Sequence, residues 1–221
     1  LLHLLKSSDA KFVTYKLYSQ LFELFESLTD LKCKEQLYST ILMNVDLWLK
    51  ASSSDHLQIL QHWQEKLFPE TIEFALKMRP ISWFLSVLRN HYWYTPSEKY
   101  TITIDEKRNP ELNVSECRSY LIKIAFELAK IRIEENDFCS LISNILTCHD
   151  SQQNEELLTF LNQIITQCEP SLMNVKDSLK LISLLQYLFN SQDASVICTS
   201  LQIIALSHNN RLISNFTLDS H

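Results

Sequence analysis

The sequence predicts an all-α fold, an α-solenoid of antiparallel helix pairs of the armadillo/HEAT type with about ten helices and one long loop insertion. Three observations predict it. Apolar residues recur at three- and four-residue spacing in block after block along the 221 residues, the signature of amphipathic helices. The blocks pair through short turns with a period of about forty residues, and a unit of that size must stack on its neighbour to bury its apolar face. Glycine is absent where average usage supplies about fifteen in such a chain, so few residues take a positive φ cheaply. The Asn, Lys, Ile, Ser and Leu bias of an AT-rich genome also accounts for part of that absence.

The elements follow in order. Ser8 and Asp9 are good N-caps, and Phe12, Tyr15, Leu17, Leu21, Leu24, Phe25 and Leu28 then mark one face of a helix of about twenty residues. Thr29-Asp30 closes it and caps a second helix, in which Leu37, Ile41, Leu42, Val45, Leu47, Trp48 and Leu49 keep the period as far as Ser52. So short a turn makes the two antiparallel neighbours. A third helix runs from Asp55 to Leu67 with Leu57, Leu60, Trp63 and Leu67 on its buried side. Pro69 ends it and opens a fourth, and Pro80 repeats that punctuation before an aromatic-rich fifth segment, Ile81 to Trp93. Thr95 to Asn113 breaks the pattern with Pro96, Pro110 and several charges; within it Tyr100-Thr101-Ile102-Thr103-Ile104 alternates as a strand or an irregular loop would. Periodicity returns over 114–133, 136–148, 152–167, 170–189 and 194–206. The opening Leu1-Leu2-His3-Leu4-Leu5 reads as the end of a helix from a longer protein. The expected organisation is one helical region over 1–221, with the 95–113 insertion between two halves.

Composition excludes several functions. Phosphate-cradling loops, dinucleotide fingerprints and nucleophile elbows all need glycine for close backbone approach. A net charge of −6 with a pI near 5.6 offers no basic footprint for nucleic acid; the only basic clusters are the pairs Lys32/Lys34 and Lys107/Arg108. No stretch reaches the roughly 18 apolar residues of a membrane span, and there is no signal peptide. Cys33, Cys117, Cys139, Cys148, Cys168 and Cys198 contain no CxxC, sit in apolar helical patterns, and read as small core hydrophobes in a reducing compartment. The triplets Asn113-Val114-Ser115 and Asn215-Phe216-Thr217 match the glycosylation pattern by chance in an Asn- and Ser-rich chain.

Candidate chemistry is sparse. Cys148-His149-Asp150 holds a nucleophile, a base and a carboxylate, but consecutive helical residues point about 100° apart and do not converge on one atom. They read as a helix end followed by an N-cap. His56 and His62 are spaced too widely to grip one metal, and His91 reads as a packed neighbour of Trp93. Glu134-Glu135 and Glu155-Glu156 read as first-turn carboxylates complementing helix dipoles. The expected cofactor and metal content is none, and no catalytic residue is assigned.

Contact with a protein partner is therefore the expected role. Loops longer than about fifteen residues in compact domains are usually functional or disordered, and aromatics and arginine dominate interface energies. The candidate contact residues are Arg89, Tyr92, Trp93, Tyr94, Tyr100, Lys107 and Arg108. Core packing of the aromatic segment competes with its exposure as a hot spot, and Arg89 stacking on Trp93 fits either reading. A second reading is a helical adaptor with indirect, peripheral membrane association.

Two stretches carry a family resemblance. Trp83-Phe84-Leu85-Ser86-Val87-Leu88-Arg89-Asn90-His91-Tyr92-Trp93 ends a helix on an Arg-x-x-Tyr-Trp pattern before the insertion. Leu141-Ile142-Ser143-Asn144-Ile145-Leu146-Thr147-Cys148-His149-Asp150 runs into the helix of Glu155-Glu156-Leu157-Leu158. Together, over residues 81–168, they resemble the armadillo-like region of BEACH-family, neurobeachin-like proteins. The resemblance implies a scaffolding segment of a very large cytoplasmic protein, preceding pleckstrin-like, BEACH and WD-repeat modules, with a part in vesicle trafficking and membrane organisation. The alternative is a generic armadillo/HEAT adaptor outside that family.

Overall fold

The computed structural model describes residues 13–67, 72–78, 81–92, 113–147, 151–167, 173–174, 183, 197–198 and 201–205. Its described helices are α1 (Tyr15–Ser27), α2 (Leu31–Leu37), α3 (Val45–Trp48), α4 (Ser53–His62), α5 (Ile72–Met78), α6 (Ile81–His91), α7 (Val114–Ile131), α8 (Glu135–Thr147) and α9 (Ser151–Gln167). Two π turns, Tyr38–Leu42 and Trp63–Leu67, extend α2 and α4. The chain forms two compact units: Leu1–Arg79 with Asn90–Ile124, and Pro80–Arg89 with Ala125–His221.

In the first unit, α1 begins where the Thr14 hydroxyl accepts a hydrogen bond from the Leu17 N–H at 3.3 Å, satisfying one of the donors a helix start leaves unpaired. The expected caps Ser8 and Asp9 lie outside the described residues. Tyr18, Leu21, Phe22 and Phe25 form the buried stripe, spaced as a helix facing a core requires. Leu24, expected on that face, is 46% exposed; it lies about 110° round the helix from the stripe's centre. Asp30 caps α2 by accepting from the Cys33 N–H at 2.9 Å, and that bond holds its carboxyl below its ordinary range.

The single second helix read from the sequence is two. The chain leaves α2 through a π turn closed by the Met43 N–H on the Tyr38 carbonyl, then restarts at Asn44, whose Oδ1 accepts from the Leu47 N–H and whose Nδ2 donates to the Thr40 carbonyl. The Trp48 indole donates to the Leu42 carbonyl at 2.8 Å. Side chains thus pair several of the backbone groups that the break would otherwise strand.

Ser52 caps α4: its hydroxyl accepts from the Asp55 N–H while donating to Asp55 Oδ2. The other Asp55 oxygen accepts from the Tyr15 N–H, 2.8 Å away at the start of α1. Seven residues on in both helices, the Phe22 and His62 rings stack at 4.3 Å. Residues forty apart therefore stand side by side, so α1 and α4 run parallel. Between them in sequence, the chain from α2 through the π turn runs antiparallel to α1, because Phe25 meets Tyr38 and the Tyr18 hydroxyl donates to the Ile41 carbonyl. Trp63 closes the cluster edge-on to Phe22 and Tyr38.

The second unit repeats the device. Asp137, nearly buried on α8, accepts from the Ser82 N–H at the start of α6 (2.9 Å) with one oxygen and from the Glu134 N–H (3.3 Å) with the other. At the far end of α6 the buried Gln153 of α9 donates from Nε2 to the Leu88 carbonyl, one of the four acceptors a helix end leaves over. Where an unbroken helix was expected to run through Ile133, residues Ile133–Glu134 form a short strand, β1, parallel to β2 (Met173–Asn174), with Ile133 opposite Met173. The offset is again forty residues. Phe138, Leu141, Ile142, Leu157, Phe160, Leu161 and Ile164 fill this core.

Smaller expectations are corrected as well. Among the described cysteines only Cys117 is buried; Cys33 and Cys198 are exposed, so the core reading does not extend to them. Glu155-Glu156 lies beyond the first turn of α9, which holds no acidic residue. Pro69, Pro80, Pro170 and the Cys148-His149-Asp150 triplet lie outside the described residues, as do most of 170–189 and 194–200.

Candidate interaction site

Of the contact candidates, Arg89 and Tyr92 fall among the described residues, at the end of α6 and just after it. Arg89 is exposed on α6. Tyr92 is fully buried, and this corrects its reading as a contact residue: it is an anchor. Trp93, Tyr94, Tyr100, Lys107 and Arg108 lie outside the described residues, and with Trp93 the proposed Arg89 stack. Trp83 is half-buried and packs edge-on against buried Phe84 at 4.9 Å, so the described aromatics of α6 belong largely to the core.

Tyr92 is held by its side chain and its backbone. Its hydroxyl lies 2.8 Å from His56 Nε2 on α4, and its carbonyl accepts from Arg118 Nη1 of α7 at 3.2 Å. Burial pushes His56 down to about 4, although a hydrogen bond to the Trp48 backbone favours its charged form. The ring is therefore neutral at pH 7. With one nitrogen donating to the Trp48 carbonyl, Nε2 is left as the acceptor for the Tyr92 O–H. Arg118 is also fully buried; its guanidinium brings a permanent charge into the core, where it must be hydrogen-bonded to be tolerated.

The start of α7 is equally defined. Asn113 Oδ1 accepts from the Glu116 N–H while its Nδ2 donates to Glu116 Oε2 at 2.7 Å, a capping arrangement at the start of α7. Arg118 lies just over one turn along the same helix, so α7 also holds Tyr92 through its carbonyl. Sequence reasoning weighed His56 only as a metal ligand, with His62, and did not single out Arg118. A lone histidine and a lone arginine within apolar periodicity resemble solvated positions; the one available signal was that each falls three or four residues from core positions, His56 from Ile59 and Leu60, Arg118 from Leu121.

Among the described residues no group of three or more His, Cys, Asp and Glu side chains is placed to hold a metal. No described helix is long and apolar enough to cross a membrane.

Compared with known families, residues 1–215 match the model described as Neurobeachin/BDCP, DUF4704 alpha solenoid region. The chain belongs to this family. The match extends the resemblance well beyond residues 81–168 and overturns the alternative of an adaptor outside the neurobeachin group. It also agrees with the repeated forty-residue offset, since an alpha solenoid is a stack of such units. No curated protein matches the chain, and neither does any solved structure.

Proposed function

We propose that this neurobeachin-type solenoid region is a non-enzymatic, protein-binding and scaffolding segment of a large cytoplasmic BEACH-family protein acting in vesicle trafficking and membrane organisation. The partner contact is made by the 95–113 insertion with the exposed Arg89 beside its root. The observation that carries this reading is the root itself: Tyr92 is buried and bonded to His56 and Arg118, and Asn113 caps α7. A contact loop on fixed ends loses less freedom on binding than one on frayed ends, and so retains more of its contact energy as affinity.

The test replaces residues 95–112 with a short Ser/Asn linker and, separately, makes Arg89→Glu, with helicity checked by circular dichroism. Proteins captured from cell extract by each form are compared quantitatively with wild type. Loss of a defined subset of captured proteins in both variants supports the assignment. Unchanged capture by a folded loop-replaced protein refutes it.

A further inference from the structure

Two π turns meet in the first unit through their leading aromatics, and they are held differently. Each ends an α-helix: Tyr38–Leu42 follows α2, and Trp63–Leu67 follows α4. The Tyr38 and Trp63 rings lie perpendicular at 5.1 Å. A π turn carries one residue more than the α-turn it replaces, forms rarely, and recurs at functional sites.

The first turn is fastened by side chains. The Tyr18 hydroxyl donates to the Ile41 carbonyl, the Trp48 indole to the Leu42 carbonyl at 2.8 Å, and Asn44 Nδ2 to the Thr40 carbonyl at 3.1 Å. Three successive carbonyls of the wide turn are thus bonded from outside the backbone ladder.

The second turn has an orphan at its head. Trp63 is 2% exposed, and its indole N–H meets no hydrogen-bond acceptor among the described residues. Phe22 and Tyr38 stand perpendicular to it at 5.3 and 5.1 Å, so the indole sits against aromatic rings. A buried donor left unpaired forfeits its hydration without return, and a form in which that donor reaches water or a carbonyl lies correspondingly closer in energy.

We propose that the Trp63–Leu67 turn is a register joint. It converts between the π form and an α-helical form in which Trp63 leaves its aromatic seat and its N–H finds an acceptor. One residue of register turns a helix by about 100°, so the conversion redirects the chain that α4 hands to α5 without unfolding either helix. The exposed Lys77–Glu35 bond, 2.9 Å between α5 and α2, is too weak to prevent it. The joint uses no residue of the proposed partner contact, so either assignment can fail without the other.

The four tryptophans, Trp48, Trp63, Trp83 and Trp93, are labelled with 5-fluorotryptophan and followed by fluorine NMR, with Trp63→Phe assigning the Trp63 resonance. Relaxation dispersion on the microsecond-to-millisecond scale is expected at Trp63 and not at Trp48, whose indole is bonded to the fastened turn. Trp63→benzothienylalanine keeps the shape of tryptophan but has sulfur in place of the N–H. It should raise the melting temperature by about 2–4 °C and slow hydrogen exchange at the Gln64 and Glu65 amides about tenfold. Deletion of Gln64 removes the extra residue; the shortened chain should fold with wild-type helicity and show no dispersion at Trp63. A flat profile at Trp63 in the wild-type protein overturns the proposal, as does dispersion of equal size at Trp48. A lower melting temperature with benzothienylalanine shows that the N–H is already bonded, as to a ring face, and overturns it too. Failure of the Gln64 deletion to fold does the same, because the α form would then not be accessible.

Discussion

Acid should weaken the first unit through His56. Its imidazole is pushed down from 6.5 to about 4 by burial, whereas in the unfolded chain it titrates near its ordinary value. The unfolded state therefore binds a proton more readily between these two values. Stability from the neutral ring is fully present above about pH 6.5, falls as pH drops, and stops falling below about pH 4. A difference of about 2.5 pH units corresponds to about 3 kcal/mol. That is a large part of the 5–15 kcal/mol that typically holds a domain folded.

The structure names what protonation breaks. Nε2 accepts the Tyr92 hydroxyl at 2.8 Å, and a protonated ring has no lone pair to offer. The positive charge would also share the interior with buried Arg118, which reaches the same tyrosine through its carbonyl. The assay is urea unfolding at intervals from pH 7.5 to pH 4 for wild type and His56→Gln, at low protein concentration because the chain is near neutral at its pI of about 5.6. Glutamine leaves an acceptor for Tyr92 and does not titrate, so other groups cancel in the difference. The wild-type curve should lose about 3 kcal/mol more than the variant across that window. Parallel curves would refute the assignment of a neutral, buried His56.

The other expectations concern single bonds. Tyr92→Phe leaves a buried acceptor on His56 unpaired and should cost about 1–2 kcal/mol in urea unfolding at pH 7.5; a neutral result would mean the hydroxyl bond contributes nothing. Asp137→Ala removes the partner of both Ser82 and Glu134 and should cost about 2 kcal/mol, with Asp137→Asn losing less because one acceptor survives; equal losses would argue for packing instead of capping. Asp55→Ala should cost about 1 kcal/mol and raise hydrogen exchange at the first turn of α1, forty residues away, as well as at α4 itself; protection unchanged at Tyr15 would remove the inter-helix cap.

Much of the fold was legible because helix periodicity, short turns and Asp or Ser caps act locally. Asp30, Asn113 and Ser52 cap where their residue types suggest, and the forty-residue unit appears as Tyr15 beside Asp55, Phe22 beside His62 and Ile133 opposite Met173. What was not legible depends on partners distant in sequence. Asp55 and Asp137 look like ordinary first-turn acids, and nothing local says that each also caps another helix. The break at Met43-Asn44 was hidden because apolar spacing continues across it, while Trp48 and Asn44 supply the hydrogen bonds that allow it. Tyr92 looked like a contact residue because an aromatic beside a loop carries the same pattern whether it points out or is pinned inward; only His56 and Arg118 decide, and both are remote.

The two inter-helix caps bear on the insertion proposed at 95–113. Asp55 reaches a backbone donor forty residues earlier, and Asp137 reaches one fifty-five residues earlier, with 95–113 lying in the longer interval. If the ends are joined by flexible chain, lengthening a closed loop from forty to fifty-five residues costs about 0.3 kcal/mol. One side-chain cap contributes about 1 kcal/mol, and Asp137 accepts one such bond from the Ser82 N–H of α6. The register between α6 and α8 is thus set by a bond worth more than the entropy added by the extra chain. Within the second unit, the placing of α8 against α6 therefore depends little on the length of chain between them. Shortening 95–112 should for the same reason leave the Asp137 junction and the stability of the second unit almost unchanged, and a loss above about 1 kcal/mol on loop replacement would show that the insertion belongs to the packed structure.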